Sequence, residues 1–199
     1  LLDAPQKPYG TPRIVEATAV TKIQHEQVAL RLSGELCIKA PPTRRQFTDR
    51  LIHNLRDALL SCETPEPGTK PLRPERNRIF AKVTRPETAA ALGRVFGIQS
   101  LALTIETPGD SLAAIAENGV TLFRDLVAGK KFAVRARRIG EKQAALFSSL
   151  EVARALGDAL YPYAAGVDLE NPDVEVHVEF HEGRAFFFRE SRPGPAGLP

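Results

Sequence analysis

The sequence predicts an α+β protein built from two small domains. Three observations support this: a length of 199 residues, 43% hydrophobic with 26% charged residues, and alternating strand-like and helix-like segments. The length suits one ordinary domain or two small ones, and the composition is close to the globular average. No stretch is apolar enough for a membrane span and no secretory leader is visible, so a cytoplasmic location is expected.

The first domain is expected over 28–105, after a segment of unclear structure (1–27) in which 13–21 is strand-compatible. A strand at 28–32 continues through 36–38, and a helix opens at Thr43 with apolar residues at steps of four. A proline-rich loop (63–76), a strand (78–83), a helix (88–96) and a strand (98–105) follow. This order is typical of an α/β sandwich of ferredoxin type, with the helices on one face of the sheet.

The second domain is expected over 106–189. Ser111 caps a helix, a strand runs over 131–138, and Ser148 with Glu151 forms the capping box of a second helix. Strands at 174–180 and 185–188 form a hairpin through Glu182-Gly183. The order is therefore helix, strand, helix, strand, strand, and the Pro- and Gly-rich residues 190–199 are linker-like.

Signatures of catalysis are absent from the sequence. It has no phosphate-binding loop, dinucleotide-binding turn, nucleophile elbow or metal-binding helix. His177 and His181 fall about 13 Å apart on a strand, too far to share a metal, and are expected to be exposed. Cys37 and Cys62 are too few for a disulfide framework or a cysteine zinc site, which leaves two unpaired core thiols or a single disulfide.

Positive charge is clustered, although the net charge is only +3. Because side chains alternate along a strand, Lys131, Arg135 and Arg137 are expected on the face opposite Phe132 and Val134. Acidic residues concentrate between 170 and 182, and such segregation attracts phosphates. The alternative is a solvated charged face. Three basic clusters stand out: residues 124–142 with seven cations; Lys70, Arg73, Arg76, Arg78, Lys82 and Arg85; and Lys39, Arg44, Arg45 and Arg50.

Several motifs resemble one protein family in the same order. The stretch 32–39 (LSGELCIK), followed by Arg44, Arg45 and Phe47, resembles the start of the ferredoxin-like domain of tRNA 4-thiouridine synthetases, the ThiI family. Gly97-Ile98 resembles that family's step into its third strand. The stretch 131–138 (KFAVRARR), followed by 147–149, resembles the core of the THUMP domain. With 171–174 and 197–199, the resemblance spans nearly the whole chain.

The resemblance implies that the chain is the tRNA-binding region of a sulfurtransferase that is also linked to thiamine biosynthesis. In that family these domains hold the acceptor stem and the 3′-CCA end, and an ATP-pyrophosphatase domain thiolates a uridine. No Ser-Gly-Gly-x-Asp-Ser loop is present, so the chain alone is expected not to be catalytic, and ATP and a persulfide donor are implied only for a catalytic part beyond Pro199. The absence of Met and the final Gly-Leu-Pro are both expected from trimming.

The expected partners are tRNA, a second copy of the chain, and a cysteine desulfurase for the full enzyme; no metal site is expected. Two other functions stay open: a stand-alone THUMP adaptor that presents tRNA to a separate enzyme, and a protein-interaction module that does not bind RNA. Arginine suits phosphate contacts because its fork binds them bidentately. The predicted RNA-binding residues are Lys131, Arg135, Arg137, Arg138, Lys142, Arg189, Arg192, Lys39, Arg44 and Arg45.

Overall fold

The computed structural model describes residues 27–140 and 147–199. The strands are β1 (Gln27–Leu32), β2 (Leu72–Glu75), β3 (Arg78–Lys82), β4 (Ile98–Pro108), β5 (Lys131–Arg138), β6 (Gly166–Val167), β7 (Val174–His181), β8 (Arg184–Phe188) and β9 (Arg192–Pro193). The helices are α1 (Gly34–Cys37), α2 (Pro41–Leu60), α3 (Pro86–Leu92), α4 (Leu112–Val127) and α5 (Ser149–Leu160), followed by a 3-10 turn at Tyr161–Tyr163. The expected α+β class is confirmed.

The first domain is a ferredoxin-like βαββαβ unit. Its strands lie in the order β2-β3-β1-β4, all antiparallel, and α2 and α3 cover one face. Strand β2 was predicted to be part of a loop, and that prediction was wrong. Its one proline, Pro74, is tolerated because β2 is an edge strand, and this strand completes the motif.

Helix and strand boundaries near α1, α2 and α3 also differ from the prediction. Residues 36–38 were expected to extend β1, but Ser33 caps a short helix by accepting a hydrogen bond from the Glu35 amide. Cys37 therefore lies on a helix, not on a strand. Helices α2 and α3 each begin two residues early, at Pro41 and Pro86, because proline fits the first helical turn.

The second domain packs α4 and α5 on one face of β8, β7 and β5. Strands β7 and β8 form the predicted hairpin, whose turn residues Glu182 and Gly183 both have positive φ. Strand β5 runs parallel to β7 and, over two residues, to β6. The capping box of α5 is present as predicted: Ser148 accepts a hydrogen bond from the Glu151 amide, and the Glu151 carboxylate accepts one from the Ser148 amide.

Strand β4 belongs to both sheets. Its first part pairs with β1, and Ile105 to Pro108 pair with β8. The two sheets thus form one continuous sheet with the order β2-β3-β1-β4-β8-β7-β5-β6 among the described residues. The predicted strand ended at Ile105, and the three further residues of β4 supply most of its pairing with β8.

The faces of the two sheets turned away from their helices, here called the inner faces, contact each other. Phe80 of β3 stacks on Phe186 of β8, with ring centroids 4.4 Å apart, and Ala29 and Ile139 complete this small core. Beside it, Arg78 of β3 and Glu179 of β7 form a buried, bidentate ion pair. Stacked rings and a paired buried charge fix the two domains in one arrangement.

The C-terminal tail packs against the first domain, although its composition is typical of a linker. Gly194 and Ala196 donate backbone hydrogen bonds to Gln99 and Ile98, and Leu198 packs against the core of the first domain. A Cβ atom at Gly194 would lie 2.4 Å from the Ile98 carbonyl oxygen. Only glycine therefore allows this close approach of the tail to β4.

Breaking the Arg78–Glu179 pair is expected to destabilise the protein. Arg78→Met leaves the Glu179 carboxylate buried without a cation, and should lower the free energy of unfolding by about 3–5 kcal/mol. The double variant Arg78→Met/Glu179→Leu should lose clearly less than the sum of the single variants. Arg124→Met removes an exposed ion pair and should change stability by less than about 0.5 kcal/mol. Urea denaturation measures the free energy of unfolding of the two single variants, the double variant and Arg124→Met. If the losses of the two single variants simply add in the double variant, the energetic coupling between Arg78 and Glu179 is contradicted.

Replacing Gly194 should release the tail. In Gly194→Ala the new methyl group collides with the Ile98 carbonyl, so β9 should separate from β4. Amide hydrogen exchange should then accelerate at Gly97 and Ala196, whose amides bond within this contact. Gly157→Ala is the matched control, because a Cβ there meets nothing within 4 Å. Unchanged exchange in Gly194→Ala would refute the close approach.

Candidate nucleic-acid interface

An open groove of about 710 Å³ runs between the inner faces of the two domains. Arg31 and Arg78 line it from the first domain, and Arg135, Arg137 and His177 line it from the second. The first turn of α5 and Ser191 of the tail contribute to its rim. Every wall therefore depends on how the two domains pack.

Arg135 is anchored on the groove wall. Its Nε donates to a carboxylate oxygen of Glu175 at 2.8 Å, and its Nη2 donates to the Leu169 carbonyl, also at 2.8 Å. The hydrogen bond from Arg135 lowers the pKa of Glu175, so this carboxylate is ionised at neutral pH. Arg135 is thus already paired with a carboxylate within the protein.

Arg31, Arg78 and Arg137 lie around the carboxylate of Glu179, which pairs with Arg78. Arg31 lies directly across from Arg78 in the β1–β3 pairing, and Arg137 lies next to Glu179 in the β5–β7 pairing. Burial lowers the pKa of Arg31, and the charges of Arg137 and Arg78 lower it further. Three cations and one anion leave this end of the groove positively charged.

His177 stacks on Phe188 beside these arginines. The ring centroids are 4.9 Å apart and the rings are nearly parallel, while Nε2 lies 3.2 Å from a Glu175 oxygen. Burial lowers the pKa of His177, which keeps the ring neutral at pH 7. The expected exposure of both histidines was wrong, because His177 is 22% and His181 only 8% exposed. The described residues contain no cluster of three or more metal-binding side chains.

The two other predicted residues of β5 do not line the groove. Lys131 is exposed at the far end of the strand, where Asp168 lies 3.6 Å from its Nζ. Arg138 lies on the helix-covered face, and its Nε is buried without a hydrogen-bond partner among the described residues. Lys142 lies outside the described residues. Of the described members of this group, only Arg135 and Arg137 line the groove.

The other predicted residues do not line the groove. Arg189 and Arg192 are exposed on either side of Ser191, which lines the rim, and Arg192 pairs with Glu190. Arg44 and Arg45 are exposed in the first turns of α2, and Lys39 precedes that helix. Helix α1 separates these three residues from β1, and α2 packs on the face of the sheet opposite the groove.

The expected separation of acidic from basic residues was wrong. Parallel pairing of β5 with β7 places Arg137 opposite Glu179. It places Arg135 opposite His177, close enough to Glu175 for an ion pair. The amide of Lys131 also donates to Asp173. Segments some forty residues apart in sequence thus neutralise each other across a single strand pair.

Several groove residues, among them Arg31, His177 and Phe188, were absent from the predicted site. Arg31 alternates with Leu30 and Leu32 on β1, so its outward direction was readable, but its proximity to Arg137 was not. Phe188 and His177 carried no signal of their own, because a strand aromatic usually belongs to a core. Their shared place beside the arginines follows from the β7–β8 pairing.

Two other structural questions are settled for the described residues. Cys37 and Cys62 are both free and partly exposed, so the single disulfide left open by the sequence is not formed. No helix in residues 27–140 and 147–199 is long and apolar enough to cross a membrane.

Two family models match the chain. Residues 28–102 match the ThiI ferredoxin-like domain, and residues 110–189 match the THUMP domain. The first match ends within β4, the strand shared by both sheets, and the second begins just after that strand.

Curated relatives are named as probable tRNA sulfurtransferases. That of Saccharolobus solfataricus is 38% identical over 172 residues, covering 86% of this chain and 44% of the relative. That of Sulfurisphaera tokodaii is 34% identical over 172 residues, covering 86% of this chain and 43% of the relative. The chain therefore spans less than half the length of these relatives.

Solved structures share the architecture. A protein of Pyrococcus horikoshii Ot3 superposes with a TM-score of 0.71 at 32% identity, covering 87% of this chain and 57% of that one. A 4-thiouridine synthetase in complex with RNA and ATP superposes with a TM-score of 0.59 at 19% identity, covering 87% of this chain and 43% of that one, and supports the fold. The chain therefore consists of a ferredoxin-like domain of the ThiI family followed by a THUMP domain, as the sequence resemblance predicted.

Proposed function

We propose that this chain is the tRNA-binding portion of a tRNA sulfurtransferase. The observation that carries the proposal is the groove between the two domains, where Arg31 and Arg137 add positive charge that Glu179 alone does not balance. The tRNA sulfurtransferase relatives and the RNA complex of a structural neighbour support tRNA as the ligand. A tRNA partner also implies a cytoplasmic location.

Within tRNA, the acceptor stem and the 3′-CCA end fit this surface best. A-form RNA is recognised mainly through its backbone, while unpaired bases are bound by stacking on aromatic rings. The basic residues around the groove suit the stem, and the groove itself is lined by the His177–Phe188 stack. Lys39, Arg44 and Arg45 at the start of α2, and Arg189 and Arg192 beside Ser191, are further proposed phosphate contacts.

Thiolation of the bound uridine is assigned to another part of a longer protein. The sequence has no Ser-Gly-Gly-x-Asp-Ser adenylation loop, so the proposed sites for ATP and the persulfide donor lie outside these residues. The chain's own role is to hold tRNA in a fixed position, which converts an encounter in solution into a reaction between aligned groups. A homodimer and a cysteine desulfurase complete the proposed assembly.

Removing the two groove arginines of β5 should weaken tRNA binding. Each arginine that neutralises a phosphate releases a counterion, so Arg135→Ala/Arg137→Ala should reduce the salt dependence of log Kd by roughly one to two units of slope. Arg137 should account for most of the loss, because Arg135 is already paired with Glu175. Fluorescence anisotropy with total tRNA at several salt concentrations measures both quantities.

A matched control tests whether position matters beyond charge. Arg56→Ala/Arg94→Ala removes two exposed arginines of the first domain that lie outside the groove. This variant has the same net charge as the groove variant and should retain nearly the wild-type affinity. If both variants lose the same tRNA affinity, binding depends on net charge alone, and the groove is refuted as the binding surface.

A further inference from the structure

Two positively charged residues are cross-strand neighbours on the inner face of the first domain's sheet. Arg31 of β1 is directly opposite Arg78 of β3, and both side chains point into the groove. Directly opposed like charges destabilise a strand pair. Arg137 of the second domain adds a third positive charge that also influences Arg31. Arg78 has a structural role in its pair with Glu179, but no such role is evident for Arg31 and Arg137 among the described residues.

The carboxylate of Glu179 is already committed to one of these arginines. Arg78 donates from Nε to Oε2 at 2.9 Å and from Nη2 to Oε1, which uses the fork of the guanidinium bidentately. Within the part of the chain that the structure describes, neither Arg31 nor Arg137 has a carboxylate within 4.0 Å. Both guanidinium groups therefore retain donors for an external anion.

We propose that Arg31 and Arg137 together bind one phosphate group of the RNA backbone, and that Arg78, held by Glu179, is the positioning residue of this clamp. The inference rests on the proposed RNA-binding function and assigns it a specific contact. Guanidinium groups suit this task because each offers paired donors that match phosphate oxygens. The bound anion also offsets the repulsion among the three arginines.

The clamp belongs to neither domain alone. Arg31 comes from the ferredoxin-like domain and Arg137 from the THUMP domain, and the Phe80–Phe186 stack with the Arg78–Glu179 pair holds them on the same groove. A phosphate between them therefore fits only when the domains are packed as described. RNA binding should in turn stabilise this packing, since a ligand that binds only the docked state shifts the population toward it.

The test scans individual phosphates of an RNA hairpin that ends in an unpaired CCA sequence. Each backbone phosphate is replaced in turn by an uncharged methylphosphonate, and affinity is measured for wild type, Arg31→Ala, Arg137→Ala and Arg56→Ala. For wild type, the methylphosphonate at one position should lower RNA affinity about tenfold more than the same change at neighbouring positions. Arg31→Ala and Arg137→Ala should each bind the unmodified RNA about tenfold more weakly and show no further loss at that same position.

Stability measurements separate a binding role from a structural one. Arg31→Ala removes a repulsive cross-strand pair, so its Tm should equal or exceed that of wild type while RNA affinity falls. A lower Tm accompanied by loss of the Phe80–Phe186 contact would make Arg31 a structural residue and overturn the clamp. Arg56→Ala should match wild type in both Tm and the methylphosphonate profile.

The remaining outcomes distinguish this inference from the function on which it rests. If Arg31→Ala binds RNA as wild type does while Arg135→Ala/Arg137→Ala does not, the clamp is wrong and the RNA-binding function stands. If Arg31 and Arg137 are sensitive to different phosphates, the shared clamp is also wrong. If wild type binds AMP saturably, and Arg31→Ala loses this binding but keeps its RNA affinity, then Arg31 and Arg137 bind a free nucleotide. That result would overturn the RNA phosphate clamp. Failure of wild type to bind any tRNA would overturn the function itself.

Discussion

The buried ion pair between Arg78 and Glu179 determines the arrangement on which the rest of the molecule depends. It joins β3 of one domain to β7 of the other, beside the stacked rings of Phe80 and Phe186. Burying two charges is costly, and a paired, bidentate geometry offsets that cost only when the partners meet in one orientation. The pair therefore contributes specificity: other packings of the two domains would leave a charge buried and unpaired. The groove is the open space that this one packing leaves between the inner faces.

Strand β4 makes the same arrangement continuous through the backbone. It pairs with β1 in the first domain and with β8 in the second, so a rotation between the domains would break a hydrogen-bonded ladder. The tail pairs with β4 as well, and Ser191 reaches the groove rim from there. A rigid surface suits recognition of an RNA backbone, because phosphate spacing in a helix is regular and a preformed array of donors loses little entropy on binding.

Local patterns predicted most elements, and the errors have identifiable causes. Alternation along β5 and β7 and the capping box of α5 depend on neighbours in sequence, and these predictions agree with the structure. Residues 36–38 look like a strand because they are apolar, yet the Ser33 cap and the packing of Leu36 in the core select a helical turn. Strand β2 was missed because proline argues against a strand, although it is tolerated at a sheet edge.

The sequence by itself determined the two domains, their resemblance to the ThiI and THUMP families, and the direction of Arg135 and Arg137 away from the helices, because strand alternation and capping are local effects. Only the tertiary structure decided which cations stay available. The β5–β7 pairing neutralises Arg135 with Glu175 and brings Glu179 beside Arg137, while packing of the inner faces adds Arg31 from a hundred residues away. Such proximities depend on the register and packing of distant segments, and Coulomb interactions depend on distance in space, not on separation along the chain.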